Sequence, residues 1–277
     1  MILSNMKQEN FHEYLEPVIA IAKAAGAAIM QVYATNFDVV KKEDASPLTQ
    51  ADLAAHKVIV SALSQLTPHI PILSEESEAL PFETRKAWPT YWLIDPLDGT
   101  REFVKRNGEF TVNIALIDEH HSVLGVVYAP VPDVLYFASQ AHGAYKQLTS
   151  KPVEKVHIKH CDIKQLVIAG SRSHSDQNMQ RFLQNIKNNT GSPPELISMG
   201  SSLKICLVAE GLADVYPRLG PTSEWDTAAA HCVLKEAGGE IVDVNNESLR
   251  YNTKESILNP FFFATNTMRQ NWAKFLE

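Results

Sequence analysis

The run Trp92-Leu93-Ile94-Asp95-Pro96-Leu97-Asp98-Gly99-Thr100 constrains this chain more than any other. An apolar stretch of strand character stops at two carboxylates three residues apart, followed by a glycine and a hydroxyl. A strand that ends this way delivers negative charge to a sheet edge, where a ligand can sit. Two acids this close repel each other at neutral pH, so a cation is expected to hold them. The neighbourhood offers oxygen ligands and no His or Cys, which points to a hard ion such as Mg²⁺. Taken alone, the same residues also describe a tight turn, because Pro and Asp-Gly are ordinary turn chemistry.

With 277 residues, 45% of them apolar and 21% charged, the chain can bury one large core or two lobes. A net charge of −7 argues against broad nucleic-acid binding, which needs a basic field. A small phosphorylated ligand stays open, since bound divalent ions change the local field. Cys161, Cys206 and Cys232 are odd in number, widely spaced and without a Cys-x-x-Cys pair. A disulfide framework or zinc site is therefore not expected, and a reducing compartment fits. His120, His121, His157 and His160 lack zinc-like partners and read as surface residues. The N-terminus carries no basic and apolar signal pattern. The longest apolar run, Pro17 to Met30, is broken by Lys23 and reads as too short to cross a bilayer. A cytoplasmic protein without an integral membrane segment is expected.

Hydrophobic periodicity places helices at Phe11–Tyr33 and Ala51–Leu66, with a short strand Phe37–Lys42 and a polar loop from Glu43 to Pro47 between them. Ile70–Leu73 and Trp92–Ile94 read as strands that end in acids. Thr111–Ile117 and Val123–Tyr128 form a hairpin, extended by Val134–Ala138. Thr149–Lys164 is polar and irregular and marks the boundary between an N-terminal α+β lobe, residues 1–150, and a C-terminal α/β lobe, residues 151–277. Beyond it strands at Leu166–Ala169, Glu195–Ser198, Ala213–Tyr216, Glu240–Val242 and Phe261–Ala264 alternate with helices at Asp176–Asn188, Leu203–Glu210 and Asp226–Ala237, and a last helix closes the chain. The pattern predicts two stacked lobes of mixed α/β type.

Acids recur at element ends. Glu75 follows one strand, Asp95 and Asp98 follow another, and Asp226 opens a helix. Each has an ordinary reading as a solvated acid or a first-turn acid favoured by the helix dipole. Thr49-Gln50-Ala51-Asp52 resembles a capping box, which competes with a role for Asp52 in orienting a hydroxyl or water.

Together, Glu75-Glu76, Asp95-Pro96-Leu97-Asp98-Gly99-Thr100 and Trp225-Asp226-Thr227-Ala228-Ala229 resemble the signatures of the lithium-sensitive, magnesium-dependent phosphomonoesterases. That superfamily includes inositol monophosphatase and the 3'(2'),5'-bisphosphate nucleotidases, and the likeness spans about residues 10 to 275. The resemblance implies a layered αβαβα sandwich. It implies metal ligation by Glu75, Asp95, Asp98, Asp226 and the carbonyl of Leu97, with two or three Mg²⁺ ions bound and Li⁺ and Ca²⁺ inhibitory. It implies that Asp52 and Thr100 activate the attacking water. Roughly 3.5–4 Å between two ions suits a clamp on the attacking and leaving oxygens of an in-line displacement. Aspartyl-phosphate phosphatases use Asp-x-Asp-Gly-Thr; the extra residue here moves the first carboxylate out of the nucleophile's place.

Substrate choice is expected in the second lobe. Gly170-Ser171-Arg172-Ser173-His174 lies between a strand and a helix, and Gly200-Ser201-Ser202-Leu203-Lys204 opens another helix. Gly and Ser at a helix N-terminus suit an anion, or simply cap the helix. Lys204 and Arg218 add charge, and Arg can grip phosphate with two hydrogen bonds. Two anion sites beside a metal site suggest a substrate with two phosphates. These stretches, with Ala213-Asp214-Val215-Tyr216-Pro217-Arg218, resemble the bacterial bisphosphate nucleotidase branch. The resemblance implies removal of the 3'-phosphate of adenosine 3',5'-bisphosphate, with Gly99, Thr100, Ser171, His174, Ser201, Lys204, Arg218 and Asp226 touching substrate. It leaves open action on the 3'-phosphoadenosine phosphosulfate analogue, a monomer or homodimer, and peripheral association with the inner membrane. The alternatives are an inositol or sugar phosphatase, and a non-catalytic nucleotide sensor.

Overall fold

The computed structural model describes residues 10–35, 47–149, 151–171 and 177–277. After a 3₁₀ turn at Phe11–Tyr14 come α1 (Leu15–Tyr33) and α2 (Pro47–Leu66). Along α1, Val18, Ala22, Ala25 and Ile29 recur at helical spacing and are buried. They face α2 and the first sheet. By length and composition Phe11–Tyr33 could cross a membrane, which corrects the expectation of a run too short to do so. Its apolar stripe is used in the core cluster shared with α2 and the sheet.

The first sheet runs β1 (Ile72–Ser74), β2 (Thr90–Asp98), β3 (Thr111–Asp118), β4 (His121–Ala129), β5 (Val134–Ser139), β6 (Gly143–Leu148) and β7 (Glu154–Val156) in sequence order. Short helices α3 (Phe82–Arg85) and α4 (Thr100–Val104) flank β2. Every pairing is antiparallel except β1 with β2. Residues Tyr91 to Leu97 are all buried, because helices cover both faces, and this is why β2 reads as a continuous apolar run. The hairpin between β3 and β4 turns at Glu119 and His120, both at positive φ, as a two-residue loop matching the strand twist requires. The sheet continues to Val156, past the boundary drawn at residue 150.

The second sheet has the order β11-β12-β10-β8-β9. Its strands are β8 (Val167–Gly170), β9 (Glu195–Ser198), β10 (Val215–Arg218), β11 (Glu240–Asp243) and β12 (Phe262–Thr265). Helices α5 (Gln177–Thr190), α6 (Leu203–Ala209) and α7 (Glu224–Glu236) connect them. Helices α6 and α7 fill the space between the two sheets, where Ala228, Ala229 and Ala230 let α7 lie close to β4. Gly125 marks the closest approach, since a Cβ there would lie 2.1 Å from the Ala229 carbonyl oxygen. Helix α5 and a 3₁₀ turn at Trp272–Phe275 cover the outer face of the second sheet through Phe182, Ile186, Trp272 and Phe275. The layers are thus α1/α2, sheet, α6/α7, sheet and α5, the expected αβαβα sandwich.

Several boundaries differ from the sequence reading. Helix α2 starts at Pro47 rather than Ala51, a proline being well placed in a first helical turn. The closing helix is only the 3₁₀ turn, and β6 and β7 are additional strands. The expected strand at residues 37–42 and the polar loop from 43 lie outside the described residues.

Candidate active site

The parallel pair β1–β2 aligns Ser74 with Ile94, and the Glu75 N–H donates to the Ile94 carbonyl at 3.1 Å. Glu75 therefore leaves its strand beside Asp95. Asp95 is 1% exposed, and its Oδ1 accepts from the Leu97 N–H at 3.0 Å, which folds the Asp-Pro-Leu-Asp segment into a turn. The β2–β3 register breaks between Asp95 and Asp98, and Gly99 takes φ +93 before α4 begins at Thr100. An L side chain resists that backbone conformation, so glycine is needed to turn the chain there. From the other side, Asp226 sits in the first turn of α7 and its Oδ2 accepts from the Ser223 N–H at 2.9 Å. The sequence reading opened this helix at Asp226; it opens at Glu224, and Asp226 completes a capping box with Ser223.

One oxygen each from Glu75, Asp95 and Asp226 lies within 4.8 Å of the other two. Asp98 stands beside this trio, and its charge acts on each member. Burial, then the neighbouring acids, push the Asp95 carboxyl well above the usual range. Burial and Asp98 push Asp226 up to about 8. Burial also raises Glu75. The ion pairs of Lys86, Lys146, Lys159, His231 and Lys254 go to other acids, and the Arg218 charge lowers the Asp226 carboxyl only in part. Asp95 is buried, Asp226 half-buried and Glu75 exposed, and convergent carboxylates with oxygen donors only fit a hard divalent cation.

Asp52 is 7% exposed, and its Oδ1 is buried without a hydrogen-bond partner. Burial, followed by Glu76 and Glu75, lifts its carboxyl to about 8. Because α2 begins at Pro47, Thr49 and Asp52 lie within the helix. The capping-box reading of Thr49 and Asp52 is therefore corrected. Helix α2 packs against α4, which brings the Asp52 helix to the one that begins at Thr100. Thr100 itself is exposed.

A cavity extends from these acids into the second lobe. It is bordered by Asp98, Gly99, Ser171, Lys204, Arg218 and Asp226, together with Ser201 and Ser202. His174 lies outside the described residues. Lys204 is 6% exposed, donates from Nζ to the Ser201 carbonyl at 2.7 Å and lies 5.3 Å from the centre of the Tyr216 ring. Burial pulls its ammonium down to about 8, with Asp98 opposing. Arg218 Nη2 donates to the Pro221 carbonyl at 2.8 Å, while its buried Nε has no partner. The Ser201 hydroxyl, expected at the substrate, is turned toward Asp98 Oδ2 at 2.5 Å. The Ser202 N–H also donates to that oxygen, at 2.7 Å. The anion held at this helix start is thus a carboxylate of the protein itself.

The sequence reading missed Arg101, Glu102, Thr222 and Phe262, which also border the cavity, and quoted Tyr216 only within its stretch. It also missed Thr111 and Asn113 beneath it. The signal for the last two was available: they are the polar residues in the otherwise apolar strand Thr111-Val112-Asn113-Ile114-Ala115-Leu116-Ile117, spaced to share one face.

The sequence profile of the inositol monophosphatase family matches residues 10–274. A 3'(2'),5'-bisphosphate nucleotidase CysQ of Salmonella typhimurium is 49% identical over 253 residues, covering 91% of this chain and 99% of that protein. The CysQ of Escherichia coli K12 is 50% identical over 250 residues, covering 90% and 98%. Among solved structures, CysQ from Bacteroides thetaiotaomicron superposes with a TM-score of 0.84 at 42% identity, covering 93% of this chain and 99% of that one. An inositol monophosphatase from Anabaena superposes with a TM-score of 0.75 at 24% identity, covering 96% of each, which is a likeness of fold.

Proposed function

The chain belongs to the inositol monophosphatase family, and from that premise we propose that it is a Mg²⁺-dependent phosphatase that removes the 3'-phosphate of adenosine 3',5'-bisphosphate to give AMP. The observation that carries the reading is the cavity that joins Asp98 and Asp226 of the carboxylate cluster to two cationic groups, the buried Lys204 and the half-buried Arg218. Similarity to curated CysQ nucleotidases over nine-tenths of the chain supports it.

In this reading Glu75, Asp95, Asp98, Asp226 and the Leu97 carbonyl hold Mg²⁺. The bound ions supply a Lewis acid for the phosphoryl oxygens and ease deprotonation of the attacking water. Thr100 orients that water, and Asp52 takes its proton; the partnerless Oδ1 of Asp52 is free for that proton. The phosphoryl group passes directly to water, so no side chain is required as a covalent carrier, and positioning with charge neutralisation supplies most of the rate. Gly99 lets the backbone approach the scissile phosphate closely. Lys204, Arg218 and Ser171 receive the remaining 5'-phosphate, and His174 is proposed beside them. The first lobe then carries most of the ion-holding groups, and the second carries the substrate contacts and Asp226. The 3'-phosphoadenosine phosphosulfate analogue fits the same geometry as a second substrate. Three free cysteines accord with a cytoplasmic setting.

Kinetics on adenosine 3',5'-bisphosphate and on inositol 1-phosphate, side by side with Mg²⁺, test the substrate class. The reading expects kcat/KM to favour the bisphosphate by at least roughly 100-fold, since hydrogen bonds to a charged group are worth about 1.5–3 kcal/mol each. Equal rates, or a preference for inositol phosphate, would overturn the assignment of Lys204 and Arg218.

A further inference from the structure

Two polar chains converge on one oxygen of Asp98. Its Oδ2 accepts from the Ser202 N–H at 2.7 Å, the Ser202 hydroxyl at 2.9 Å and the Ser201 hydroxyl at 2.5 Å. Behind Ser202 stands Asn113, whose Nδ2 donates to Ser202 Oγ at 2.9 Å. Behind Ser201 stands Thr111, whose hydroxyl is 2.6 Å from Ser201 Oγ and 3.0 Å from Asn113 Oδ1. Thr111 and Asn113 are 0% and 1% exposed, so neither can exchange its partners for bulk water. Asn113 places Nδ2 toward Ser202 and Oδ1 toward Thr111, so both ends of its amide are engaged.

Ser202 Oγ also lies 2.6 Å from the Asp226 carbonyl oxygen. The hydroxyl has a single proton, and Asn113 already donates to it, so that proton is shared between Asp98 and the first turn of α7. The network therefore ties the end of β2 to the helix that carries Asp226. The turn that makes this possible is strained. Ser201 sits at φ +54, and a Cβ on Gly200 would lie 2.6 Å from Glu102 Cγ and 2.8 Å from the Glu109 carbonyl oxygen. Strain of this kind persists where the surroundings over-determine the conformation, and here the Ser202 N–H and two serine hydroxyls converge on one carboxylate oxygen. Chains of hydrogen bonds polarise one another in a buried setting, which strengthens the grip.

We propose that Asn113 and Ser202 are positioning residues for Asp98: they anchor its Oδ2 and leave Oδ1 as the oxygen available to a divalent ion. The inference rests on the reading of Asp98 as a Mg²⁺ ligand. Partners behind a metal ligand typically govern affinity by roughly 10- to 100-fold.

The test titrates Mg²⁺ into the substrate-free, EDTA-stripped protein by calorimetry and follows the Mg²⁺-induced rise in Tm, for the wild type, Ser202→Ala, Ser202→Thr and Asn113→Ala. Roughly 10- to 100-fold weaker Mg²⁺ binding is expected in Ser202→Ala and Asn113→Ala, with near-wild-type affinity in Ser202→Thr, which keeps the hydroxyl. If Ser202→Ala does not fold, Asn113→Ala decides alone. A lowered ion-free Tm with Mg²⁺ affinity within twofold of wild type in Ser202→Ala or Asn113→Ala would show a merely structural role and overturn the inference. Absence of Mg²⁺ binding in the wild type would instead overturn the metal reading beneath it.

Discussion

Single residues decide the substrate side of the cavity. Lys204 combines deep burial with a lowered ammonium, at about 8, and a ring beneath it, and it borders the cavity where an anion would enter. Replacing it with Ala is predicted to raise KM for adenosine 3',5'-bisphosphate by roughly 10- to 150-fold, from the loss of about 1.5–3 kcal/mol of charge-assisted hydrogen bonding. The effect on kcat should be smaller, since Lys204 holds the part of the substrate that does not react. The wild-type KM should also rise as pH climbs through about 8, where the ammonium loses its proton, and Lys204→Arg should flatten that rise. A pH-independent KM in the wild type would remove Lys204 from the substrate contacts.

At the scale of elements, helix α7 is the part on which most depends. It carries Asp226 at its start, and it lies against β4 through Gly125. Gly125→Val is predicted to destabilise the fold by roughly 1–3 kcal/mol through overpacking, and to lower activity by displacing Asp226. Urea unfolding together with kinetics checks this; a stable, fully active Gly125→Val protein would contradict the close approach. Farther along α7, His231 is buried between the Tyr251 hydroxyl, 2.8 Å away, and the Glu240 carboxylate. Burial raises the Glu240 carboxyl, but the His231 hydrogen bond and charge outweigh it and carry it from 4.5 down to about 2. The folded value lies below the unfolded one, so this stabilisation is complete above about pH 4.5 and is lost as pH falls through about 2. It amounts to at most ~3 kcal/mol at neutral pH. Glu240→Gln should therefore be less stable than wild type at pH 7, with the gap closing in acid, as denaturant midpoints at a series of pH values would show.

At the scale of the whole molecule, the site lies where the first sheet, α7 and the start of α6 meet, so both lobes must be folded for it to exist. Much of this was legible in the sequence. The strand that runs into Asp95, the hairpin around Glu119 and the alternation after Leu166 each follow from local periodicity, and the acids at element ends announced the cluster. What was not legible depends on contacts distant in sequence. Asp52 looked like a cap because its first neighbours allow one, whereas Glu75 and Glu76 come to it across the fold. Ser201 borders the cavity, and its hydroxyl also donates to Asp98, 103 residues away, a contact that no local pattern reveals. Strands β6 and β7 carry mixed polarity because they lie toward the edge of a sheet, where burial is partial and the pattern weak.

The central claim is that this carboxylate cluster, once loaded with Mg²⁺, drives hydrolysis of a bisphosphorylated nucleotide. Phosphate release from adenosine 3',5'-bisphosphate, measured with Mg²⁺ and with EDTA for the wild type and Asp95→Asn, tests it directly. Release that requires Mg²⁺ and falls by roughly 1,000-fold in Asp95→Asn is predicted, because several kcal/mol of charge stabilisation depend on the ion. Release that persists in EDTA, or an Asp95→Asn protein as active as wild type, would contradict the account.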